Sequence, residues 1–92
     1  MIVSFRHRGL KRLYDHDDPS KLPAALLHRI ENILARLDAA DSPQAMNVPG
    51  YRLHRLSGEW KGFWSVKVSA NYRIIFRMEK GDARDVDFLD YH

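Results

Sequence analysis

Cysteine is absent from the 92 residues, which removes disulfides, thiolate nucleophiles and Cys-ligated zinc. No apolar run approaches the roughly 20 residues a membrane-spanning helix needs. The opening Met1-Ile2-Val3-Ser4-Phe5-Arg6-His7-Arg8 has neither the apolar stretch nor the small-residue cleavage site of a secretory leader. The expected compartment is therefore the cytoplasm, with no membrane partner. Neither internal repeats nor low-complexity segments occur. What is present is 45% hydrophobic and 29% charged, the balance of a globular chain. One domain spanning 1–92 is expected, burying roughly 60–70% of its unfolded surface.

The net charge of +3 is unevenly spread. Residues 51–80 hold Arg52, Arg55, Lys61, Lys67, Arg73, Arg77 and Lys80 against Glu59 and Glu79, a local +5. Residues 81–92 hold Arg84 against Asp82, Asp85, Asp87 and Asp90, a local −3. Basic residues interleaved with Tyr51, Trp60, Phe63, Trp64 and Tyr72 suit phosphate contacts plus base stacking. They equally suit a solvated strand face, and charge alone does not choose.

Hydrophobic spacing gives the element order. Ile2–Phe5 reads as a short strand. Leu10, Leu13 and Tyr14 sit at helical spacing over 9–15, and Pro19 ends that region by pushing Asp18 out of helical geometry. Leu22, Leu26, Leu27, Ile30, Ile33, Leu34 and Leu37 form one apolar stripe. They predict a second helix capped near Ser20 and ending near Ala40. From Tyr51 the period becomes two. Strands are expected over 51–56, 63–68, 72–78 and 84–89, with Arg73, Ile75 and Arg77 opposite Tyr72, Ile74, Phe76 and Met78. The order β-α-α-β-β-β-β predicts an α+β domain, two N-terminal helices on an antiparallel sheet.

Several residue types have metal-ligating or catalytic chemistry. Asp15-His16-Asp17-Asp18 has ligand types, but before Pro19 it reads as a turn. Asp82, Asp85, Asp87 and Asp90 read as edge-strand charges. His7, His16, His28, His54 and His92 contain no pair at metal spacing, so no metal site and no cofactor are expected. His54 stands apart by lying within the basic, aromatic segment. Arg73 stands apart as a cation in an apolar strand, where a guanidinium wants an anion. A phosphate or a neighbouring aspartate would serve.

Four segments taken together carry a resemblance. They are Tyr51-Arg52-Leu53-His54-Arg55-Leu56-Ser57-Gly58, Gly62-Phe63-Trp64-Ser65-Val66-Lys67-Val68, Asn71-Tyr72-Arg73-Ile74-Ile75-Phe76 and Asp90-Tyr91-His92. With the opening 2–11 and the total length, they resemble HigB-type toxins of the RelE/ParE superfamily, over essentially the whole chain.

The resemblance implies a RelE-like fold and a toxin of a type II toxin–antitoxin pair. It implies a ribosome-dependent mRNA endonuclease that cuts in the A site without metal or cofactor. The nucleotide's 2′-hydroxyl attacks the adjacent phosphate. Carried over by position, His54, Arg73, Asp90, Tyr91 and His92 are the catalytic set, with Arg73 on the phosphate. Arg55, Lys61 and Asn71 are candidate RNA contacts. The implied partners are the ribosome, its mRNA and a helix-turn-helix antitoxin like HigA, with operator DNA reached only through that antitoxin. Ser57 departs from the pattern, since relatives often carry a lysine there; Arg55 and Lys61 are candidate replacements. A non-enzymatic gyrase poison like ParE, or an RNA-binding module, are the alternatives on this fold.

Overall fold

The computed structural model describes residues 1–90; Tyr91 and His92 lie outside the described residues. Helix α1 spans Arg8–His16 and α2 spans Leu27–Ala39. Strands β1 His54–Arg55, β2 Trp64–Lys67, β3 Tyr72–Glu79 and β4 Asp82–Asp90 form one antiparallel sheet in sequence order. Among the described residues no helix is long and apolar enough to cross a membrane.

Alternation sorts the sheet into two faces. Val66, Ile74, Phe76, Val86 and Phe88 on one face share a single buried cluster with Leu10 and Leu13 of α1 and Ile30, Ile33, Leu34 and Leu37 of α2. Each helix places its apolar residues at three- and four-residue steps, which puts them on one side. The other sheet face carries a row across all four strands. His54 pairs with Ser65, Ser65 with Ile75, and Ile75 with Asp87. A parallel row runs Lys67, Arg73, Leu89.

Three expectations are corrected. The segment 2–5 is not a sheet strand. Ile2 and Phe5 make isolated parallel bridges to Ala83 and Val86, because a bulge bends β4 there. Its register shifts opposite Ile75–Arg77, and Asp85 sits at φ 53°. Ser4 Oγ accepts the Asp85 N–H at 2.8 Å and fixes the kink. Ser20 does not cap the second helix. Pro19 closes a turn with Leu22, and a short 3₁₀ turn Ala24–Leu26 precedes α2. The expected strand 51–56 shortens to His54–Arg55, because Arg52 adopts φ 51° and breaks the extended chain.

Local chemistry explains the other boundaries. His7 caps α1: its Nδ1 accepts the Leu10 N–H at 3.2 Å, in place of the usual serine or aspartate. Asp17 ends that helix in the left-handed region. The Ser20 backbone N–H and hydroxyl, with the Arg12 guanidinium, hold the Asp18 carboxyl down at about 2. Lys11 pairs with Asp15 at 2.6 Å. These aspartates serve the turn, and among the described residues no group of three His, Asp or Glu side chains is placed to hold a metal.

Candidate active site

The face of the sheet turned away from the buried cluster opens into a concave cavity of about 720 Å³. Its floor is sheet: Ser65 from β2, Arg73 and Ile75 from β3, Leu89 and Asp90 from β4. Its wall is the segment around β1, with Arg52, His54, Leu56 and Ser57 on one side and Trp60 at the end. The floor exists because β-strand alternation turns Ser65, Arg73, Ile75 and Leu89 away from the core. The wall exists because the chain leaves sheet geometry on both sides of His54–Arg55, at Arg52 and at the 3₁₀ turn Gly58–Trp60.

His54 and Arg73 thus enter one cavity from strands separated by β2. Strand spacing and rise put their backbones roughly 10 Å apart across the sheet and about 7 Å along it. Arg73 is half-buried and His54 exposed, so a guanidinium sits at the floor and an imidazole at the rim. Asp90 ends β4, pairs in register with Tyr72 and lines the same cavity. Tyr91 and His92 follow it in sequence and lie outside the described residues.

The candidate RNA contacts lie elsewhere. Arg55 pairs with Trp64 in register and holds its guanidinium 5.1 Å from that ring, away from the cavity lining. Lys61 is exposed just after the 3₁₀ turn, and Asn71 is exposed just before β3. Ser57 does line the cavity. Besides Arg73, the cation that accompanies it there is Arg52, a residue to which the family resemblance gave no role. Arg52 combines an exposed side chain with a left-handed backbone uncommon for a long residue. Among the described residues its guanidinium has no ion pair or hydrogen bond.

One element of α2 supports this wall. Arg29 Nη2 donates to the carbonyl of Gly50 at 2.8 Å and to that of Lys67 at 3.0 Å. Its guanidinium also lies 4.7 Å from the Tyr51 ring centre. The Lys67 N–H in turn donates to the Tyr51 carbonyl at 2.6 Å. The lead-in to β1 is therefore anchored to both α2 and the end of β2. At the opposite end, Arg6 lies 5.5 Å from the Trp60 ring centre, and Trp60 meets Phe63 edge-on at 5.4 Å. That contact seats the aromatic end wall against the N-terminal segment.

This lining brings together two guanidiniums able to bind a phosphate, an imidazole able to exchange a proton, and an aromatic side chain.

Known proteins match this chain along nearly all of its length. The family described as the RelE-like toxin of type II toxin-antitoxin system HigB matches residues 3–92. Endoribonuclease HigB of Proteus vulgaris is 41% identical over 92 residues, covering all of both chains. Toxin HigB-1 of Vibrio cholerae serotype O1 is 32% identical over 94 residues, covering 100% of this chain and 98% of that protein. Among solved structures, a YafQ mutant from E. coli superposes with TM-score 0.65 at 14% identity, covering 98% of this chain and 93% of that one. A chain of the heterotetrameric YoeB-YefM toxin-antitoxin complex from Staphylococcus aureus gives TM-score 0.62 at 12% identity, covering 100% and 98%. At such identity these two structures speak to the fold alone.

Proposed function

The chain belongs to the HigB-like family of RelE-like type II toxins, and from that premise we propose that it is an mRNA endonuclease acting on ribosome-bound message in the A site. The observation that carries the proposal is the shared cavity of His54, Arg73 and Asp90, in a chain 41% identical over its full length to an endoribonuclease. In this reading the helices back the sheet and leave its other face to RNA.

The reaction is a transesterification within the RNA. The ribose 2′-oxygen forms a bond to the adjacent phosphorus, and the phosphorus–5′-oxygen bond breaks. The products are a 2′,3′-cyclic phosphate and a free 5′-hydroxyl. A base takes the 2′-hydroxyl proton and an acid delivers one to the leaving oxygen. His54 and His92 are the side chains proposed for these transfers, since an imidazole exchanges protons near neutrality. Arg73 meets the charge that grows on the phosphate, an effect usually among the largest in such reactions. Asp90 orients a histidine, and Tyr91 stacks on a base or bonds the reacting oxygen. Arg55, Lys61 and Asn71 contact RNA beyond the cavity. These groups do the chemistry without a metal or cofactor.

The proposed partners are the ribosome with its mRNA and a helix-turn-helix antitoxin like HigA, through which alone operator DNA is reached. The proposed compartment is the cytoplasm. The test is a reconstituted translation system with a defined mRNA, mapping the new ends. Cuts should appear only on ribosome-bound message and carry cyclic-phosphate and 5′-hydroxyl termini, and they should persist in a chelator under controlled magnesium. Growth arrest without cleavage, accompanied by gyrase-dependent DNA breaks, would place the chain with the gyrase poisons instead.

A further inference from the structure

We propose that the Ser65 hydroxyl is the hydrogen-bond partner of the His54 imidazole, and that it fixes which ring nitrogen carries the proton. This rests on reading the cavity as an RNA-cleavage site. Ser65 is 1% exposed and, among the described residues, the only polar side chain buried so deeply. Its Oγ has no hydrogen-bond partner among them. A hydroxyl taken from water without a partner is costly, so such a group at the floor of a cavity calls for an explanation.

The register supplies one. Ser65 stands directly opposite His54 across β1 and β2, on the cavity side of the sheet. Residues so placed have Cβ atoms roughly 4.5–5.5 Å apart. On its other flank Ser65 faces Ile75, and Phe63 precedes it on the same side of β2. Neither offers a polar atom from its side chain. Lys67, the next residue on that side of β2, makes no hydrogen bond to Ser65 Oγ. His54 is exposed and, among the described residues, its imidazole makes no hydrogen bond either. Two unpaired groups therefore sit at one cross-strand position, and a χ1 rotation of His54 joins them.

The ring geometry then selects the nitrogen. Nδ1 lies close to the strand and Nε2 projects away from it. Ser65 Oγ, on a short side chain, reaches only Nδ1. A serine hydroxyl can give or take a hydrogen bond, and the base role decides between them: Nδ1–H donating to Oγ leaves the Nε2 lone pair facing the cavity, the form a general base requires. Ser65 acts through His54 and is a positioning residue.

The experiment reads the tautomer directly. Long-range proton–nitrogen correlation spectra of the nitrogen-15-labelled full chain, with His54 neutral, should show its proton on Nδ1 in the wild type. In Ser65→Ala that preference should be lost. On mRNA-programmed ribosomes, Ser65→Ala should lower the single-turnover cleavage rate about tenfold, part of the usual general-base contribution. The half-saturating concentration should be unchanged, and Ser65→Thr should recover most of the loss. The melting temperature of Ser65→Ala should change little, because a single hydrogen bond to an exposed imidazole contributes little net stability. A proton on Nε2 in the wild type overturns the proposal, as does an unchanged tautomer ratio or an unchanged cleavage rate in Ser65→Ala. A wild-type protein that leaves ribosome-bound mRNA intact counts against the RNA-cleavage reading instead, and the spectra still decide the Ser65–His54 pair.

Discussion

The Tyr14 hydroxyl donates to Asp38 Oδ1 at 2.6 Å, and the same oxygen accepts the Ile2 backbone N–H at 2.9 Å. One carboxylate therefore ties together α1, α2 and the N-terminal segment. The hydrogen bond to Asp38, with burial and that carboxylate's charge, raises the Tyr14 hydroxyl to about 12. The bonds from Tyr14 and Ile2 lower Asp38 below the ordinary carboxylate value.

Stability should follow from both shifts. The tyrosine's contribution is complete below its unfolded value near 10 and is lost as pH rises towards about 12. That of Asp38 is complete above roughly 4 and is lost as pH falls through its lowered value. Tyr14 is 38% exposed, so solvent screening reduces the gain to about 1 kcal/mol. Tyr14→Phe keeps the ring that packs on Phe5. It should cost about 1 kcal/mol at neutral pH and flatten the alkaline limb, as read by denaturant melts across pH.

Arg73→Ala should abolish growth inhibition while the protein still folds and binds its antitoxin. A lost contact to developing phosphate charge typically costs 10²–10³ in rate. Cleavage on programmed ribosomes checks the size, and copurification with the antitoxin checks the fold. Wild-type toxicity at equal expression would remove Arg73 from the mechanism.

Arg52→Gly separates charge from backbone. The left-handed φ of 51° suits glycine, so stability should stay within about 1 kcal/mol of wild type. The half-saturating concentration for ribosome-bound mRNA should nevertheless rise about five- to tenfold, one exposed phosphate contact's worth. The difference should shrink at high salt, as screening predicts.

Arg29→Met keeps an apolar stem but removes both carbonyl contacts to Gly50 and Lys67. The expected loss is about 2–3 kcal/mol, for hydrogen bonds from a charged group. Amide exchange should quicken around 50–55 before it does in β3, because the anchor holds the lead-in to β1.

The sequence made the sheet's two faces readable where the chain is regular. Tyr72, Ile74 and Phe76 against Arg73 and Ile75 follow strict alternation, and β3 has that geometry. It failed where a distant contact overrides the local pattern. Residues 51–56 alternate well enough for a strand, yet Arg52 turns left-handed and Arg29 anchors the preceding residues. The same break undoes the shared parity of Arg55 and Ser57: the strand stops at Arg55, so Ser57 faces the cavity and Arg55 packs over Trp64. His54 and Arg73 drew notice because a histidine in a basic segment and a cation in an apolar strand are unusual by type. Ser65 carried no such signal, because a serine's meaning here depends on burial and on its neighbour across the sheet.

The bridges of Ile2 to Ala83 and Phe5 to Val86 join residues made early to a strand made about eighty residues later. During synthesis the opening segment has no strand to bridge until β4 is out of the exit tunnel. The core residues of β3 also wait for that strand, since Ile74 pairs with Phe88. Such far-separated pairings form late and slowly. The cavity draws its walls from residues on both sides of that delay, Arg52 and Asp90 among them. A chain interrupted before β4 therefore lacks the site as well as the fold, and the two are completed together once that strand is made.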